Sequence, residues 1–148
     1  MGIKVKGEGV LDRALSIILA VALLGALVAL VYTLANPKVD PFTEFYILGL
    51  DGKAIDYPQE LSVGETGKVL LGIINREQET ATYWVEITIN GVKNKKLGMV
   101  TLEDDEEWKQ IVGFIPDKAG DNQKVEFLLY RQGYDGVYRN LRLWVNVR

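Results

Sequence analysis

The chain has 148 residues, 48% of them hydrophobic, and a net charge of −3. It contains no cysteine and no histidine, which removes disulfides, thiolate metal sites, the commonest general base and the commonest zinc ligand together. Serine occurs only at Ser16 and Ser62, so Ser–His–Asp and Cys–His nucleophiles are excluded by inventory, and the chain reads as non-enzymatic with no cofactor.

Residues 1–13 form a short polar tail holding Lys4, Lys6 and Arg13. Residues 14–35, ALSIILAVALLGALVALVYTLA, carry no charge and no proline. As a helix this stretch is about 33 Å long, matching the hydrocarbon core of a bilayer, where every backbone polar group must be paired within the segment. Only Lys38 and Lys53 follow it closely, so the positive-inside bias points the N-terminus to the cytoplasm and the remainder outward. Two other fates of the stretch compete with an uncleaved single-pass anchor. Thr33-Leu34-Ala35 faintly matches a signal-peptide cleavage site, and Lys6-Gly7 could end a pilin-like leader, making the helix a filament core. Within it, Ala22, Gly25, Ala26 and Ala29 have the small-xxx-small spacing through which two helices pack closely, so homo-oligomerisation through the anchor is one expectation. The plainer account is that anchors are rich in Ala and Gly.

Asn36-Pro37 stops the helix, and residues 36–41 read as a linker. From residue 42 the punctuation is that of β-structure. Strands are expected near residues 42–50, a short piece before Val63-Gly64, then 68–75, 82–90, 95–102, 108–115, 123–131 and 138–148. Asn90-Gly91 is a strong hairpin signal, and the lysines after it suit an edge strand. Seven or eight strands over residues 42–148 with no helical period make an all-β, immunoglobulin-like β-sandwich after a single transmembrane α-helix. From Asn36 onward the chain carries 14 basic and 18 acidic residues, which argues against nucleic acid as a partner.

The blocks FTEFYILGLDGKAIDYP, LSVGETGKVLLGIINRE, KVEFLLYR and YRNLRLWVNV are similar to the C-terminal module of a membrane family known as a domain of unknown function, DUF 1616. The Val-Gly-Glu block with its apolar run also resembles immunoglobulin-like adhesion modules of microbial surface proteins. The resemblance implies an archaeal source and an outward-facing sandwich, and it brings no activity with it. Longer members of the family carry several spanning helices before this module, whereas this chain shows one.

If strands 82–90, 123–131 and 138–148 are sheet neighbours, Tyr83, Val85, Ile87, Val125, Phe127, Leu129, Leu141, Leu143 and Val145 face inward. The opposite face then collects Trp84, Leu128, Tyr130 and Trp144. Such a cluster suits docking of a membrane or surface protein, with an envelope carbohydrate as the second reading and burial under another segment as the plain one. The run Glu103 to Glu107 lacks the spacing of a calcium loop, so a solvated turn is expected, with Lys93, Lys95 and Lys96 expected to pair with it across the hairpin.

Overall fold

The computed structural model of the protein describes residues 6–37 and 39–148. The first five residues of the expected tail, Lys4 among them, and Lys38 of the linker lie outside the described residues. Two units, Met1–Asp40 and Pro41–Arg148, stand apart by their internal contacts.

The first unit holds one helix, α1, Lys6–Ala35. It extends beyond the apolar stretch because helix propagation adds one hydrogen bond per residue once a nucleus exists, so residues 6–13 of the expected tail continue the ladder. Its apolar span, Gly9–Ala35, has the length and composition of a membrane span or of a signal sequence. The Asn36 backbone N–H and side-chain amide both donate to the Tyr32 carbonyl at 3.0 and 3.1 Å, and Pro37 follows. The helix therefore ends where the sequence predicts. Ala22, Gly25, Ala26 and Ala29 lie on α1, and a Cβ at Gly25 would meet open space.

The second unit has eight strands: β1 Phe42–Leu48, β2 Glu60–Leu61, β3 Gly67–Arg76, β4 Ala81–Ile89, β5 Val92–Leu102, β6 Glu107–Phe114, β7 Gly120–Arg131 and β8 Arg139–Val147. They form a three-stranded sheet, β1-β3-β6, and a five-stranded sheet, β2-β8-β7-β4-β5. All pairings are antiparallel except β2 with β8. The Asn90-Gly91 corner turns β4 into β5 with positive φ at both residues, the geometry that lets the two strands keep their right-handed twist. Lysine-rich β5 is an edge strand, as its composition predicts.

Alternation builds the core. Val69, Leu71 and Ile73 of β3 and Val112 and Phe114 of β6 face Tyr83, Val85 and Ile87 of β4, Val125, Phe127 and Leu129 of β7, and Leu143, Val145 and Val147 of β8. Phe114 and Phe127 meet edge to face at 6.3 Å across the layers. On the outer side of β3, Gly72 is required: a Cβ there would lie 2.0 Å from the Tyr46 ring, which crosses the strand to donate to Glu107 at 2.5 Å. Burial, then the bond to Glu107, pushes the Tyr46 phenol up to about 12. Every residue expected inward on the three central strands is buried except Leu141, which is half-buried. Its position explains why: β2 pairs with β8 only at Asn146 and Val147, so no strand is hydrogen-bonded to the outer edge near Leu141.

Candidate interaction surface

The structure splits the expected aromatic face in two. Trp84 sits directly opposite Tyr130 in the β4–β7 register, and their rings stack in parallel, 5.5 Å apart and 5° off coplanar. Lys96 of β5 places its Nζ 6.0 Å from the centre of the Trp84 ring. Burial, with the charge and hydrogen bond of Glu86, pushes the Tyr130 phenol up. Leu128 lies opposite Glu86 on β4 and Asn140 on β8. Trp84, Leu128 and Tyr130 are all half-buried, each covered mainly by its cross-strand neighbours.

Trp144 is elsewhere. It stands opposite Lys124, six residues along β7 from Tyr130, or about 20 Å at the rise of a strand. It is 54% exposed. The two tryptophans therefore do not form one platform. Trp144 instead borders a cleft of about 480 Å³ lined by Phe45, Ile47, Tyr57, Leu141, Arg142 and Leu143. The cleft lies along the seam where the open edge of β8 faces edge strand β1. Tyr57 spans part of it and donates to the Ile47 carbonyl at 3.0 Å.

The expected pairing of Lys93, Lys95 and Lys96 with the acidic run is corrected. Lys93 bonds Glu86 at 3.5 Å, directed by the β4–β5 register, and Lys96 turns to Trp84. The run is a turn whose carboxylates are used locally. Asp104 accepts from the Gln78 N–H at 2.9 Å, Asp105 bonds Arg76 at 3.0 Å, and Glu107 accepts from Tyr46. Among the described residues, no group of three or more His, Cys, Asp or Glu could hold a metal ion.

One cluster escapes sequence reasoning. Glu77, 7% exposed, accepts from the Thr43 hydroxyl at 2.6 Å and from the Tyr138 hydroxyl, with Arg131 Nη1 3.7 Å from its other oxygen. Thr43 spends its proton on Glu77, so the fully buried Tyr83 hydroxyl donates to Thr43 at 2.8 Å. Arg139 lies 4.6 Å over the Tyr138 ring and Tyr134 packs on its edge. Burial raises the Glu77 carboxyl pKa, but the Thr43 and Tyr138 bonds and the charges of Arg131 and Arg139 outweigh it, holding the group below its ordinary range. The partners come from β1, β4, β7, β8 and the β3–β4 turn, far apart in sequence, and no local motif announces them.

The family comparison falls on this sandwich and its linker: residues 37–146 match a single family profile. The chain belongs to DUF1616, a domain of unknown function. Among solved structures, this DUF1616 chain is similar to the CARDB domain of the PF1109 protein from Pyrococcus furiosus, determined in complex with di-metal ions. Identity is 15% and the TM-score 0.53, covering 76% of this chain and 97% of that one. The solution structure of the same domain gives 16% identity and a TM-score of 0.51, covering 74% and 97%. These likenesses show the fold. No curated protein matches the chain. An immunoglobulin-like sandwich thus follows an N-terminal apolar helix with the length and composition of a membrane span or a signal sequence.

Proposed function

We propose that this protein is a non-catalytic, single-pass membrane protein that presents its sandwich outside the cell and docks a protein partner through the outer face of the five-stranded sheet. The observation that carries the reading is Trp144. It is a large aromatic held on an ordered strand, 54% exposed, at the mouth of an apolar cleft. A rigid exposed tryptophan beside a pocket is the kind of anchor that dominates protein interfaces. Trp84 and Tyr130, about 20 Å along the same face, stack on each other and brace the sheet there. The inventory without His or Cys, and the use of Glu77 as a fully bonded structural carboxylate, fit a module that binds without catalysing.

The carbohydrate reading loses its main support, since a sugar platform built from Trp84 and Trp144 would need them adjacent and the register separates them. Orientation follows from the basic residues flanking the apolar stretch.

The test is a photo-crosslinking residue placed at Trp144 and, separately, at Ile111, an exposed apolar position on the other sheet. Irradiation of intact membranes should give a discrete protein adduct from position 144 and none from 111. Equal adducts, no adduct, or a glycan adduct at 144 each reject the reading. Protease added to intact cells should remove the sandwich; protection would reverse the topology.

A further inference from the structure

We infer that the open edge of β8 accepts an extended segment of a partner protein as an added β-strand, and that the segment is acidic. This rests on the docking reading above and names its mode. The backbone supplies the first argument. Asn146 and Arg148 donate their N–H groups away from β7, to the carbonyls of Gln59 and Leu61. Strand alternation then aims the N–H and C=O groups of Trp144, Arg142 and Asn140 the same way, where β2 no longer runs. Three consecutive outward positions of a well-formed strand are left as a template for main-chain pairing.

Side chains supply the second. A strand laid on this edge alternates between two environments. Its inward residues enter the seam cleft against Phe45, Ile47, Leu141 and Leu143, so they are apolar. Its outward residues lie beside Arg142 and Trp144 on the outer face. There the charge is unbalanced. Glu126, opposite Arg142 in register, is bound by Lys124 at 2.9 Å, and Arg142 makes no ion pair among the described residues. An acidic residue on the incoming strand complements this edge. A second copy of the same strand does not, because antiparallel self-pairing would oppose arginine to arginine.

The experiment pans a display library of random peptides about nine residues long, the reach of a long strand, on the full chain held in lipid nanodiscs. Arg142→Glu and Asn140→Pro chains are panned in parallel. Proline at 140 removes an outward N–H and spares the β7 ladder. The wild-type chain should enrich peptides that alternate apolar and acidic residues, Arg142→Glu should shift the enrichment to basic ones, and Asn140→Pro should abolish it. The best peptide, N-methylated on alternate residues, should lose about tenfold or more in affinity for one methylation phase and little for the other, because one edge of a strand carries the bonds. That arm decides the matter if Asn140→Pro fails to fold. No enrichment over empty discs, enrichment without acidic bias, or equal tolerance of both methylation phases overturns the inference. Binding that needs Trp144 yet ignores Asn140→Pro and methylation overturns edge addition alone and leaves face docking in place. Crosslinking at position 144 judges docking itself.

Discussion

Strand β8 holds two aromatic residues in opposite situations, one just before its start and one within it. At its start, Tyr138 is drawn into a buried carboxylate network and covered by Tyr134 and Arg139. Six residues on, Trp144 stands open beside an unpaired strand edge. The same strand is thus bolted down at its start and left available in its middle, before β2 pairs with its last residues. The difference teaches that aromatic residues at similar sheet positions divide into structural and available ones by what the neighbouring strand provides. At Tyr138 the β3–β4 turn brings Glu77; at Trp144 the two-residue β2 stops short.

The largest break in that contrast comes from the bolted end. Glu77→Ala strands Thr43, Tyr138 and Arg131 without their common acceptor, and should cost about 2–4 kcal/mol, the range for removing one member of a buried charged network. Urea unfolding of the full chain in detergent measures it; a loss under 1 kcal/mol would mean water replaces the carboxylate freely. The pH dependence follows from the same group. The Glu77 carboxyl has a folded pKa below its ordinary value of 4.5, so the unfolded chain binds the proton more readily. Its contribution is complete above that ordinary value and is lost as pH falls through the lower folded one. The stability difference between wild type and Glu77→Gln should therefore hold steady above about pH 5 and shrink below it. A difference that grows on acidification reverses the sign and the assignment.

Trp84 is the intermediate case. It is half-buried, stacked on Tyr130 and approached by Lys96. Trp84→Ala should cost about 1–2 kcal/mol, combining lost area with the stacking increment. Trp84→Phe should recover part of that. If Trp84→Ala leaves the unfolding midpoint unchanged, the stack carries no stability and Trp84 rejoins Trp144 as an available surface residue.

Much of this was legible in the sequence. The apolar stretch, the hairpin at Asn90-Gly91, the edge role of lysine-rich β5 and the inward sets of β4, β7 and β8 all follow from local periodicity, which fixes the face a residue points to. Register is another matter. Nothing local says that Tyr130 falls opposite Trp84 while Lys124 falls opposite Trp144, because that depends on where two strands slide together. The expected single patch was correct in face and too generous along the strand. The Glu77 network was invisible for the same reason: Glu77 and Tyr138 are 61 residues apart and meet only once both sheets close. The seam cleft depends on an element being short. β2 pairs over two residues, and a two-residue strand leaves no sequence period to read.

The smallest stability effect belongs to the open stretch, and its smallness is what sharpens the contrast. Trp144 leaves half its surface in solvent and stands at the rim of the cleft. Trp144→Ala should shift folding by no more than about 0.5 kcal/mol, the range for exposed positions outside caps, cores and networks. A structural tryptophan could not be removed so cheaply. The informative quantity is therefore the ratio of two losses, one in stability and one in partner crosslinking from a reporter at Arg142. Trp84→Ala should lose stability and keep most of the adduct; Trp144→Ala should keep stability and lose the adduct. If instead both substitutions lower the midpoint alike, the ring of Trp144 is spent on holding β8 against β1, and the middle of the strand is bolted down as well.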